Sequence, residues 1–284
     1  MSLSKPRPIL NDMPYHIKKM IVESIPSFLD RLPLRKTSKE FMGIVDTAKV
    51  EMTFRIDENY VRMEWKSPNS LLKRNPTTTD AINHFKCFIS KKNVTFSSMG
   101  VSGNRALSVE VVQMLLATVK QPIRVKDFRM SCGGQARILE FMEPGTLEHV
   151  DLFWVDQEEA EKVFRMEQWR QAKSVALYKN SAACEFLWDF PSFCIYHNES
   201  IKLTDLPRIL KHLINSDTFV SGKIVFEYWS FNAIVEVLGG GDWERKQDGT
   251  EFAEKAFPVD KRGSTIVVKA SYQRVEFTMK RSGE

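Results

Sequence analysis

HVDLFWVDQEEAEKVFRMEQWRQAKSVALY, residues 149–178, decides the fold class. It opens with Val150-Asp151-Leu152, an apolar–polar–apolar centre that suits a short strand with one buried face. Asp156 follows, with Glu159 three residues later, a capping box that starts a helix. Ala160, Val163 and Phe164 then recur at helical spacing. Glu158, Glu159 and Glu161 crowd the first turn, where the helix dipole favours negative charge, so they read as a solvated helix start and not as an acid/base pair. Trp169 closes the helical stretch and is expected in the core. Val175-Ala176-Leu177 begins the next strand. The stretch is one strand–helix unit and the start of another.

The same alternation extends outward, from about Thr77 to Gly240. Further strand centres are Val94-Thr95-Phe96, Phe128-Arg129-Met130, Ile201-Lys202-Leu203 and Ile224-Val225-Phe226. Further helices are marked by Val112, Leu115, Leu116 and Val119, and by Leu206, Ile209, Leu210, Leu213 and Ile214. Successive strand centres lie roughly 22 to 34 residues apart, the range of β/α repeats. A unit of one strand and one helix cannot bury its apolar face alone, and parallel stacking of such units solves that. No regular LxxLxLxxN pattern accompanies the spacing. The expected class is therefore α/β, an irregular leucine-rich-repeat-like solenoid. A doubly wound α/β sheet stays open, because alternation alone does not separate the two.

Two hairpins flank this region. Val50, Met52, Phe54 and Ile56 alternate with polar residues, as do Val61, Met63 and Trp65, with Asp57-Glu58-Asn59 as the turn. Near the other end, Thr265–Lys269 and Arg274–Met279 alternate around Ala270-Ser271-Tyr272-Gln273 and could cover the last sheet edge. Gly239-Gly240-Gly241 follows a helix and reads as its C-cap with a flexible link.

Before the first hairpin the period is helical. Asp12 is placed to cap a helix with Pro14 in its first turn. Ile17, Met20, Ile21 and Ile25 form one apolar face, and Pro26 stops it. Phe28, Leu29 and Leu32 link to a second helix through Ser38, Phe41, Ile44 and Val45. A helical hairpin of about forty residues is marginal alone, and its apolar surface calls for a docking partner.

Composition narrows the function. The chain has 284 residues, 43% hydrophobic and 27% charged, the profile of a soluble globular protein. No apolar run is long enough to cross a bilayer, and the first residues lack a secretory pattern, so a cytoplasmic or nuclear protein without membrane association is expected. Cys87, Cys132, Cys184 and Cys194 form no CxxC pair and read as small core residues in a reducing compartment. The formal net charge of +5 is spread over basic pairs rather than one block, which argues against a nucleic-acid partner. There is no GxxxxGK(S/T) loop, no HExxH and no GxSxG elbow. His16, His84, His149, His197 and His212 are isolated. The expectation is a protein with no catalytic site, cofactor or metal. The six tryptophans read as partly buried core rather than ligand contacts.

Residues 9–46 resemble an F-box. Met13-Pro14 stands for the family's opening Leu-Pro. Ile17, Met20, Ile21 and Ile25 match its helix, Leu29, Leu32 and Leu34 its central leucines, and Arg35, Ser38 and Phe41 its Arg-x-x-Ser/Cys-x-x-Phe/Trp ending. The segments VEMTFRIDENYVRMEW, MEQWRQAKSVAL and AFPVDKRGSTIVVKASYQRVEFTMKR resemble the FTH (FOG-homology, DUF38-like) domain that follows the F-box in a large nematode family. The implied organisation is an F-box at 8–46, a capping hairpin at 47–67 and an FTH, leucine-rich-repeat-like domain at 68–284. The implied role is substrate recognition in an SCF-type ubiquitin ligase. The F-box residues, Pro26 among them, would dock on a Skp-type linker and through it on a cullin–RING ligase, and the larger domain would bind a target protein. A scaffold that sequesters its partner without degradation is the alternative. If the apolar strand residues point inward, Arg129, Asp151, Phe153, Tyr178 and Lys202 point outward as the target-binding set, or simply face solvent. A one-residue error in register would reverse that assignment.

Overall fold

The computed structural model describes residues 13–25, 31, 33–34, 36–47, 50–57, 61–65, 85–86, 89, 94–179, 185–197, 201–226, 228–241, 243–248, 250–259 and 263–281. The fold is mixed α/β, built on one large sheet. Its strands are β1 (Val50–Ile56), β2 (Val61–Trp65), β3 (Val94–Val101), β4 (Arg124–Met130), β5 (His149–Phe153), β6 (Ser174–Tyr178), β7 (Ser192–Tyr196), β8 (Ser221–Val225), β9 (Glu244–Asp248), β10 (Thr250–Val259), β11 (Ser264–Ser271) and β12 (Arg274–Lys280). They lie in the order β2-β1-β3-β4-β5-β6-β7-β8-β12-β11-β10-β9.

From β1 to β8, leaving β2 at the edge, neighbours are parallel. β2 pairs antiparallel with β1, and β12 pairs antiparallel with β8. β11, β10 and β9 continue outward as an antiparallel meander. A doubly wound sheet reverses its strand order at a switch point. β3 to β8 run in chain order without one, which removes that alternative.

Helices connect the parallel strands: α3 (Arg105–Thr118), α4 (Gln135–Leu139), α5 (Gln157–Arg165), α6 (Glu167–Arg170) and α7 (Leu206–Asn215), with α8 (Phe231–Val237) leading into the meander. Local sequence sets their ends. Asn104 and Asp156 accept the Leu107 and Glu159 backbone N–H groups as N-caps. The capping box at Asp156 is only half formed. The Glu159 carboxylate turns to the Ala136 N–H in the first turn of α4, at 2.7 Å, and so joins two helices. Gly239, at φ 90°, ends α8 in the left-handed region as expected.

The core is laid down in rows across the sheet. Register places Ile56, Val101, Met130, Leu152, Leu177, Ile195, Ile224, Val275, Ala270 and Ala253 side by side on ten strands, and all are buried. The parallel row two residues back runs Phe54, Met99, Phe128, Val150, Val175, Phe193, Gly222, Phe277 and Val268. Gly222 is required there, because a Cβ at that position would sit 2.3 Å from the Phe193 ring. Trp169 is buried as expected, with Phe164 and Phe190 ring centroids at 5.2 and 5.5 Å.

Several sequence expectations need correction. Ile201-Lys202-Leu203 is not a strand: Leu203–Asp205 is a 3-10 turn leading into α7. The strand of that unit is β7, whose Phe193 and Ile195 carry the buried face. Leu116 is exposed on α3. The last turn is confined to Tyr272 and Gln273, with Ala270 and Ser271 in β11. The first hairpin is hydrogen-bonded into the sheet, with β1 beside β3 and β2 at the edge.

Among the described residues the N-terminal segment contains the helices α1 (Tyr15–Ser24) and α2 (Lys39–Thr47), with Arg31, Pro33 and Leu34 helical between them. Pro14 is the N-cap of α1 rather than a residue of its first turn. The inward face of α1 is Lys18 and Val22, not the stripe of Ile17, Met20 and Ile21. Lys18 pairs with Glu40 and lies over the Phe41 ring. Ser38 caps α2 through the Phe41 N–H, at 3.2 Å. Asp12, Pro26, Phe28, Leu29, Leu32, Arg35, Glu58, Asn59, Cys87 and Cys184 lie outside the described residues.

Candidate binding face

Because alternate strand residues point to opposite sides, the sheet has a second face that the core rows do not use. Register lays rows across it too. One runs Arg55, Gly100, Arg129, Asp151, Ala176, Cys194, Lys223, Glu276. Toward the C-terminal ends of the parallel strands comes a second: Phe153, Tyr178, Tyr196, Val225, Arg274. Toward their N-terminal ends lies a hydroxyl row of Ser174, Ser192 and Ser221, in which Ser192 and Ser221 are 3.0 Å apart.

Four of the five outward-pointing candidates come together here. Arg129 Nε donates to Asp151 Oδ2 at 2.9 Å. Burial pushes the Asp151 carboxyl up, and the Arg129 guanidinium opposes that shift. Phe153 and Tyr178 are half-buried and stacked, with centroids 4.0 Å apart and planes 7° apart. Tyr196 extends the stack at 4.4 Å and 6°, and Lys223 Nζ lies over its ring at 5.3 Å. Burial also raises the Tyr178 hydroxyl pKa. Lys202 is the exception. It precedes the 3-10 turn, and its backbone N–H is bound by Asp205, so it is not on this face.

The aromatic row ends at a repeated backbone device. Trp154, Lys179 and His197 each follow a stacked aromatic and each adopt positive φ, at 57°, 47° and 51°. Their N–H groups donate to the Tyr178, Tyr196 and Val225 carbonyls of the next strand. The left-handed conformation is uncommon for residues with a Cβ, and here it recurs on three consecutive strands. Trp154 is exposed, with Lys179 Nζ over its ring at 4.8 Å. It therefore departs from the expectation that the tryptophans are core.

Cys194 departs as well: it lies half-buried on the open face, while Cys132 is buried. Burial raises both thiols, Cys132 to about 11, so neither is an activated nucleophile. Among the described residues no group of His, Cys, Asp and Glu is arranged to hold a metal ion, and no helix is long and apolar enough to cross a membrane.

At the other end of the chain, the described F-box candidates divide by exposure. Phe41 has no accessible surface, so it supports the helix pair from inside and cannot be a contact. Ser38 is committed to its cap. Leu34 is packed against the core. Met20 is 63% exposed. Met13, Ile17, Ile21 and Ile25 are partly exposed, and Pro14 is exposed.

The sequence reading missed Arg55, Gly100, Tyr196, Cys194 and Lys223. Phe193-x-Ile195 carries the same apolar–x–apolar signal as the other strands and would have found Tyr196 and Cys194. Nothing in the sequence sets Arg55 beside Gly100, since only pairing of strands far apart in the chain does so.

Residues 107–241 match the FTH domain. The match begins within α3 and ends after α8, and so includes β4 to β8 and MEQWRQAKSVAL, whereas both flanking hairpins lie outside it. No curated protein and no solved structure matches the chain.

Proposed function

We propose that this FTH-domain protein is a non-catalytic, substrate-recognising subunit of an SCF-type ubiquitin ligase. The α1–α2 segment docks on a Skp-type linker, which connects it to a cullin and a RING subunit in the cytoplasm or nucleus. The open sheet face receives the target protein.

The observation that carries the reading is the mismatch on α1. Val22, Phe41 and Ile44 already fill the inside of the helix pair. Met20, Tyr15 and Met42 nonetheless stand exposed on it, with Ile17 and Ile21 half-exposed. Apolar side chains spared from the core of so small a unit are what a helical docking partner would bury. The open face supports the second half of the reading. Its Arg, Tyr and Trp residues are the types that anchor protein interfaces, and its interleaved Asp151 and Glu276 do not suit a nucleic-acid backbone.

The test is co-expression with a Skp-type linker, followed by size-exclusion chromatography of the full chain. Wild type is expected to elute as a 1:1 complex. Met20→Glu and Ile21→Glu are expected to abolish it while leaving thermal unfolding within about 1 kcal/mol of wild type, as for surface substitutions. A complex that survives both substitutions would remove the α1 assignment.

A further inference from the structure

A depression of about 270 Å³ opens on the sheet face at the ends of β1, β3 and β4, lined by Arg55, Gly100, Ser102, Arg129, Ser131 and Phe153 among others. Its floor is the bare backbone at Gly100. An added Cβ there would stand 3.2 Å from the Arg55 Cγ, so the missing side chain is what lets Arg55 lie across the strand. Register places Arg55 and Arg129 on either side of Gly100. Their backbones are two strand spacings apart, about 10 Å, a gap that two guanidinium groups close on one anion.

The two arginines differ in a useful way. The Arg129 Nε is held by Asp151, which fixes the guanidinium plane. Among the described residues Arg55 has no ion pair. Ser131 Oγ donates to Ser102 Oγ at 2.8 Å, leaving the Ser102 proton to point elsewhere. Asp151 offsets one of the two positive charges, and Asp127 faces the same side further from the strand ends, opposite His149. A ligand with several acceptor oxygens suits this donor set, two guanidinium groups and a hydroxyl, better than a single carboxylate.

We infer that this depression is a subsite for a phosphomonoester borne on a side chain of the target protein. The inference deepens the proposed role of the open face and names the chemistry it reads. The full chain, labelled with ¹⁵N at arginine, is titrated with O-phosphoserine and phenyl phosphate, and in parallel with dimethyl phosphate and glutamate. The readout is the Nε–H resonances. Saturable shifts of Arg55 and Arg129 are expected with both monoesters, and binding about tenfold weaker with the diester and the carboxylate. Arg55→Gln, at a surface position, is expected to weaken monoester binding about tenfold with an unchanged thermal melt. Arg129→Gln provides the second variant.

Absence of saturable shifts, or equal affinity in Arg55→Gln, overturns the inference. Equal binding of glutamate replaces it with an acidic-residue site, and equal binding of dimethyl phosphate with a nucleic-acid backbone site. Linker binding is read on α1, so loss of that complex leaves this titration untouched, and a failed titration leaves the linker complex untouched.

Discussion

Gly222 shows how one residue sets a packing level. Phe193 on the neighbouring strand lies over it, in the space any Cβ would take. A rigid ring has no flexible end to yield, so Gly222→Ala is expected to cost about 1–3 kcal/mol in urea denaturation, and Gly222→Val more. Asp156 acts through one hydrogen bond, to the Glu159 N–H at 2.8 Å. Asp156→Ala is expected to cost about 1 kcal/mol. The thiols give a check at the same scale. Cys132 is raised to about 11 by burial and so stays protonated at pH 8. It is expected to resist iodoacetamide in the native state and to react once the chain is unfolded. The stability Cys132 contributes is complete below its unfolded pKa and is lost as pH rises through about 11.

Elements were legible where the signal was local. The strand–cap–helix–strand order of residues 149–178 needed only periodicity and an N-cap, and Asp156, Ala160, Val163 and Trp169 stand where that reading put them. β7 was assigned to the wrong segment. Ile201-Lys202-Leu203 repeats the same apolar pattern, but Asp205 captures the Lys202 N–H and turns the chain into α7. β9 and β10 were missed. β9, at the sheet edge, carries charged residues such as Glu244 and Lys246 and no apolar alternation. β10, between β9 and β11, buries the adjacent Phe252 and Ala253 and contains Pro258, so neither shows the period of two that marks the other strands. On α1, periodicity found an apolar stripe. It could not tell that Lys18, paired with Glu40 and covering Phe41, takes the inward side. The site divides in the same way. Arg129, Asp151, Phe153 and Tyr178 were legible from alternation on their own strands, whereas Arg55 and Gly100 join them only through pairing across the sheet.

At the scale of the whole molecule, the buried row from Ile56 to Ala253 crosses ten strands without a break. The flanking hairpins are therefore part of the same core as the strand–helix units. Removing residues 264–281 would strip β11 and β12 and leave β8 with unpaired N–H and C=O groups. An exposed edge of that kind pairs with other chains. The truncated chain is expected to aggregate in light scattering under conditions where the full chain stays in solution.

The placement of β12 also has a consequence for synthesis. β4 to β8 can each dock on the strand made just before it. The partner of β8 is not the next strand translated but β12, with β9, β10 and β11 coming between. At about 5–20 residues per second, the ribosome takes seconds to pass from Val225 to Arg274. During that interval the nascent sheet presents an open flank, which a chaperone would have to shield until the returning strand closes it.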